Sequence, residues 1–264
     1  MTLQTKIHSA ESGHWYKLDG TPAYTMTGKN GKERNTTLAD ARKLGLVPSV
    51  TTILGVAAKP QLEIWKLNQL LRAQLLNPRI EGEDQEVYAK RVVEASQQIS
   101  REAADLGTAI HADIERLFKG ERVQAHEQSA IAVRNLLHRL TGLRDGWIAE
   151  ASFACDMGYG GRIDLYHPQG WIVDVKSKDF SDPDMVKAYD ENGMQLVAYR
   201  EGIPMWPDTR LINVFVSRTV PGLVKHHEWQ AGEATRLWSM FGSLLTYWQL
   251  SKSYTPCRQG TPEE

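Results

Sequence analysis

Residues 158–178, GYGGRIDLYHPQGWIVDVKSK, constrain the fold more tightly than any other stretch of the chain. Two runs, 162–166 and 171–176, flank the turn-forming His-Pro-Gln-Gly segment and read as a pair of β-strands. Alternation along a strand puts Arg162, Asp164 and Tyr166 on one face and Ile163 and Leu165 on the other. In the second strand Ile172, Asp174 and Lys176 share a face, opposite Trp171, Val173 and Val175. Asp and Lys are poor strand formers, and a half-buried carboxylate needs a counter-charge, which a divalent cation would supply. On its own, Asp-x-Lys also fits a solvated sheet edge, with Asp164 a turn-side residue.

A chain of 264 residues can bury one sizeable core, or one core with an appended subdomain. Its two cysteines, Cys155 and Cys257, lie far apart without CxxC spacing, so neither a disulfide framework nor a zinc or iron–sulfur site is indicated. An intracellular location, cytoplasmic and of bacterial or phage-infected-cell type, is the expectation. The first residues, MTLQTKIHSAESGHW, carry no apolar signal region, and no run is long enough for a membrane helix. A net charge of −1 argues against coating nucleic acid by bulk positive potential. The charge is uneven, however: residues 1–60 hold eight Lys/Arg against four Asp/Glu, and residues 141–200 hold six against ten. An acidic segment can meet a polyanion if metal ions lie between them, while a basic one holds its backbone; chance variation of surface charge gives the same pattern.

Residues 1–47 are polar and read as short strands and turns around TGKNGKERN, with Trp15, Tyr16 and Tyr24 interleaved among basic residues. Such rings either stack on bases or cover a small hairpin. PSVTTIL opens a helix with Ser49 as N-cap; Ser49 and Thr51 offer hydroxyls and amides to a phosphate, or plain capping. After Pro60 a second helix aligns Ile64, Leu67, Leu71 and Leu75 on one apolar face. A long helix follows over 87–119, with Ile99, Ala103, Leu106, Ile110, Ile114 and Leu117 as its core stripe. His111 borders that stripe, with Gly107 one turn away leaving open space above the ring. Further elements are a helix over 131–143, a strand over 147–155 that carries Glu150, and a helix over 186–201 in which Gln195 and Tyr199 are i, i+4 neighbours. LINVFVS reads as a strand buried on both faces, LVKHHEW as its neighbour, and a C-terminal amphipathic helix carries Leu237, Phe241 and Trp248. Residues after 253 read as a disordered polar tail.

In chain order the chemistry-bearing elements are Gly107-x-x-x-His111 on a helix, Gly161-x-x-Asp164 and Asp174-x-Lys176 on adjacent strands, and Gln195-x-x-x-Tyr199 on a helix. This series resembles the PD-(D/E)XK nuclease superfamily in its RecB-like exonuclease branch, over residues 107–199. PSVTTIL is similar, more loosely, to the N-terminal element of phage-type and mitochondrial genome maintenance exonucleases. The chain departs from the CRISPR-associated relatives, whose four cysteines hold an iron–sulfur cluster.

The resemblance implies an α/β fold with a restriction-endonuclease-like core, αβββαβ, its mixed central sheet flanked by helices. It divides the chain into a substrate-binding region over 1–86 that walls or arches over the cleft, the nuclease core over 87–253, and the tail. It further implies that His111, Asp164, Asp174 and the carbonyl of Val175 bind Mg²⁺ or Mn²⁺, that Lys176 orients or activates the attacking water, and that Gln195 and Tyr199 contact the nucleic-acid backbone. Glu150 is similar in place to an acid often found ahead of the G-x-x-D element; the alternative is a solvated strand residue. The activity expected is that of a metal-dependent DNA exonuclease on single strands or DNA ends, in replication, repair or recombination, with a recombination or single-strand-binding protein as possible partner. Alternatives are a flap endonuclease on the same core, a non-catalytic nucleic-acid-binding module, or a helical scaffold with accidental motif matches. Lys176 feels opposing influences, since carboxylates favour its charge while burial and cations disfavour it.

Overall fold

The structure is a computed structural model that describes residues 13–203 and 208–256; the expected polar tail lies largely outside them. The N-terminal segment forms β1 (Trp15–Tyr16), β2 (Thr25–Thr27) and β3 (Glu33–Asn35), then α1 (Leu38–Leu44), β4 (Val47–Pro48) and α2 (Val50–Leu54). Two long helices follow, α3 (Pro60–Leu76) and α4 (Gln85–Phe118), then α5 (Glu127–Thr141). The rest is β5 (Ile148–Cys155), β6 (Tyr159–His167), β7 (Trp171–Lys178), α6 (Asp190–Gly202), β8 (Arg210–Ser217), β9 (Val224–Trp229) and α7 (Ala231–Lys252).

The central sheet runs β5-β6-β7-β8-β9. Only β7 and β8 pair in parallel, with α6 as the crossover between them; the other pairs are antiparallel. The fold is therefore mixed α/β. One face packs on the second half of α4 and on α5, through Ile110, Ile114, Val133, Leu137, Leu165, Val173 and Val214. The other face packs on α2, α6 and α7, through Ile53, Ile163, Leu196, Leu211, Leu237 and Phe241. Trp15, Leu46 and Val50 belong to that second core together with Tyr159 and Trp248, so the N-terminal segment packs into the same core as the sheet.

The first departure from expectation is α1, which falls in a stretch read as strands and turns. Its signal is a capping box: Thr37 accepts from the Asp40 amide while Asp40 accepts from the Thr37 amide, and Gly45, at φ +65°, closes the helix. The second is α3. Ile64, Leu67, Leu71 and Leu75 do share a face, but that face is open to solvent, Leu75 being 82% exposed. The buried residues are Gln69 and Ala73, turned the other way in a helix whose principal packing partner is α4. Likewise only the later turns of the α4 stripe are core, since Ile99 and Ala103 are half-buried. At ~1.5 Å per residue α4 is about 51 Å long, so its first half extends past the sheet as a support for α3.

Candidate active site

The site is built on a break in the alternation of β5 and β6. The pairs Ala149↔Leu165 and Ala151↔Ile163 are in register, yet Glu150 and Asp164, which face each other between them, do not pair. Glu150 takes a left-handed conformation, φ +60°, which a non-glycine residue adopts only at a cost. Both strands consequently change face at this rung. Ala149 and Leu165 pack toward α4 and α5, whereas Phe153, Ile163 and Tyr166 pack toward α2, α6 and α7. This corrects the strict alternation expected for β6, where Ile163 and Leu165 were to share a face.

Beyond Leu165↔Val173 the pairing of β6 with β7 ends. Asp164 fills the opening: its Oδ2 accepts the Val175 amide N–H at 2.7 Å. In an extended strand the N–H and C=O of one residue project the same way, so the Val175 carbonyl faces the same gap. Asp164 Oδ1 takes no hydrogen bond among the described residues.

His111 reaches this point from α4, with Nδ1 3.8 Å from Asp164 Oδ2. Burial lowers its pKa, aided by the Lys176 charge and opposed by Asp164, so the ring is neutral with a lone pair to offer. Gly107 sets the approach of the helix. A Cβ there would lie 2.5 Å from Ser177 Oγ, so the room left by the missing side chain is taken up by β7. Gly161 has the same role on β6, because a Cβ would come within 2.8 Å of the Tyr199 and Phe153 rings.

Asp174 and Lys176 lie on the α6 side of β7. Asp174 is 1% exposed; its Oδ1 accepts from Lys176 Nζ at 2.7 Å and its Oδ2 from Asn213 Nδ2 at 2.8 Å. Lys176 Nζ also donates to Gln195 Oε1 at 3.0 Å, and Gln195 Nε2 donates to the Tyr199 hydroxyl at 2.6 Å. Burial and the Asp164 charge push the Asp174 carboxyl upward against the pull of Lys176 and Asn213. Burial opposes charge on Lys176, but Asp174 and Asp164 outweigh it and raise its pKa, so the side chain is an ammonium. Gln195 and Tyr199 are both buried and hydrogen-bonded inward, in a position to hold Lys176. Asn213 escaped sequence reasoning. Its only signal is a polar residue inside the apolar run of β8, and it is fully buried between Asp174 and Trp229, whose Nε1 donates to its Oδ1 at 2.7 Å.

A cleft of about 500 Å³ opens over the rung, lined by His111, Asp164, Glu150, Arg162 and Tyr199 together with His14, Tyr16 and Tyr24 from the N-terminal segment. Glu150 pairs with the Arg162 guanidinium. Burial nonetheless drives its carboxyl up to about 7. Ser49 and Thr51 also reach the cleft. Ser49 is buried, however, and its Oγ caps α2 at the Thr52 amide and shares hydrogen bonds with the Thr51 and Thr52 hydroxyls, as plain capping requires.

Among the described residues, no three His, Cys, Asp or Glu side chains gather closely enough to cage a metal ion as they stand. His111 and Asp164 make two, and Asp174 lies behind them. The donor chemistry fits a divalent cation: an uncommitted carboxylate oxygen, a neutral imidazole and a backbone carbonyl. Among the described residues each Asp174 oxygen accepts one hydrogen bond and has two lone-pair sites, so it can take a cation without releasing its partner.

No protein-family model matches the chain, and no curated protein matches it. Among solved structures it is similar to the crystal structure of SSO0001, with 13% identity, coverage of 69% of this chain and 85% of the other, and a TM-score of 0.31. A likeness at that level carries no argument about fold or activity. Among the described residues no helix is long and apolar enough to cross a membrane.

Proposed function

We propose that the protein is a metal-dependent nuclease of the PD-(D/E)XK type that hydrolyses phosphodiester bonds at DNA ends. The observation that carries the reading is the meeting, at one opened rung, of Asp164, the His111 imidazole and the Val175 backbone, with the Asp174–Lys176 pair on the next strand. The succession α4, β5, β6, β7, α6, β8 supports a restriction-endonuclease-like core, with α5 inserted after the first helix. His111, Asp164, Asp174 and the Val175 carbonyl would hold Mg²⁺ or Mn²⁺. Such an ion supplies Lewis-acid charge to the phosphoryl oxygens and a nucleophile at neutral pH.

The chain's own groups then have distinct tasks. Lys176, held as an ammonium by Asp174 and Gln195, donates to a phosphoryl oxygen or orients the attacking water. It does not act as a base while so charged. Gln195 and Tyr199 position Lys176 from behind. Arg162, its side chain 47% exposed at the cleft, is placed to meet a neighbouring phosphate.

The test is digestion of linear and circular single-stranded DNA with Mg²⁺, Mn²⁺ or EDTA, by the wild type and by Lys176→Ala. The expected result is metal-dependent loss of the linear strand only, and none with Lys176→Ala, which still binds DNA. Cleavage of the circle would make the enzyme an endonuclease on the same core. An inert wild type in both metals would leave a nucleic-acid-binding module at most.

A further inference from the structure

The N-terminal segment brings to the cleft a set of rings that the proposed chemistry does not use. His14 is solvent-exposed and lies against Tyr24, with ring centroids 4.5 Å apart and planes inclined by 29°. Tyr16, 2% exposed, meets Tyr24 edge-on at 5.5 Å, and the two hydroxyls hydrogen-bond at 2.6 Å. The backbone from the His14 carbonyl onward is held in place: that carbonyl accepts the Ser49 amide, Trp15 and Tyr16 pair with β4, and Ala23 donates to the Trp15 carbonyl. A ring that merely covered a hairpin would be buried by it, whereas this one is displayed on rigid backbone. Although the residue is exposed overall, its ring is partly desolvated in the cleft, and this together with the nearby Arg162 lowers the His14 pKa, so near neutrality the ring is a flat uncharged surface rather than a cation. Arg162, Asp164 and His111 line the same cleft.

We infer that the His14–Tyr24 stack receives the base of an unpaired nucleotide, which makes the cleft selective for single-stranded DNA ends. The inference rests on the nuclease reading in taking DNA as the occupant of this cleft. A stacking platform needs a free base face, which a duplex keeps covered by the adjacent pair. It tolerates any sequence, since every base has a π-face, while Arg162 takes the adjoining phosphate.

The probe is a short oligothymidylate carrying 2-aminopurine at its 5′ or its 3′ end, bound to the full chain in EDTA so that nothing is cut. The wild type should quench one of the two labelled ends. His14→Ala should bind about tenfold more weakly and lose the quenching, with an unchanged dependence of affinity on salt because a neutral ring has been removed. His14→Phe should restore both. Tyr24→Ala should act in the same direction, with far-UV circular dichroism as a check on folding, and blunt duplex should bind equally to all variants. Absence of quenching at either end, or wild-type affinity in His14→Ala, would overturn the inference. Parallel digestion with Mn²⁺ separates the two readings: cleavage without quenching removes the stacking platform alone, and quenching without cleavage removes the nuclease and leaves the platform.

Discussion

Asn213→Leu is the most informative single change in the molecule, because it touches no substrate yet acts on Asp174. Leucine fills nearly the same volume in a fully buried position but removes both side-chain hydrogen bonds. It leaves the buried Trp229 indole N–H without an acceptor, at a cost of about 1–3 kcal/mol, and strips the Asp174 carboxylate of a charge-assisted bond worth about 1.5–3 kcal/mol. Together these put the destabilisation at about 2.5–6 kcal/mol, or on the order of 10 °C in Tm for a chain of this size. Trp229→Phe, which loses only the indole donor, should cost clearly less. The second effect is on pH. The Asn213 hydrogen bond holds the Asp174 carboxyl down against burial, so its loss raises that pKa further, and the acid limb of the cleavage profile should move to higher pH. The assays are thermal unfolding and initial cleavage rate from pH 5 to 9. A variant melting within about 2 °C of the wild type with an unmoved acid limb would mean that Asn213 neither stabilises the core nor acts on Asp174.

Asp113 is buried and accepts the amides of Gln124, Ala125 and His126 as well as Arg116, which together override burial and hold its carboxyl down at about 2. Its stabilisation is present above the ordinary carboxylate range and is lost as pH falls toward 2, so Asp113→Asn should lose about 2 kcal/mol at pH 7 and visibly less at pH 3. Equal losses in urea unfolding at the two pH values would contradict this. Leu71→Gln, on the exposed stripe of α3, should shift Tm by under about 2 °C, whereas Ile110→Ala in the core should cost about 2–5 kcal/mol. Comparable losses would mean that the stripe is covered. An imidazole ligand favours Mn²⁺, so cleavage with Mn²⁺ should at least match that with Mg²⁺, and His111→Ala should weaken the Mn²⁺ response more; an equal loss with both ions argues against His111 as a ligand.

Much of the architecture was legible. The order of strands β5, β6 and β7, the phase of β7 and the apolar faces of α5 and α7 follow from periodicity, because those elements have one wet side and one dry side. The site was legible only in part. The structure brings the His111 ring and the Val175 amide to Asp164, whereas Asp174 sits beneath the cleft and Gln195 turns inward. The change of face at Glu150 leaves no trace in composition, since any non-glycine residue at positive φ looks ordinary in sequence. Asn213 is hidden in an apolar run because its partners, Asp174 and Trp229, come from separate strands. Periodicity gave the α3 stripe its correct spacing, but spacing alone does not say whether a neighbour is there to cover it.

If the rung opened at Glu150 and Asp164 forms a cation site with His111, the ion binds whether or not DNA is present. Calorimetric titration of Mn²⁺ into chelator-stripped protein tests it without reference to cleavage. The wild type should give a saturable heat that Asp164→Asn abolishes while its thermal unfolding curve stays cooperative. A wild type that takes up no Mn²⁺, or an Asp164→Asn protein that binds it equally well, would contradict the account.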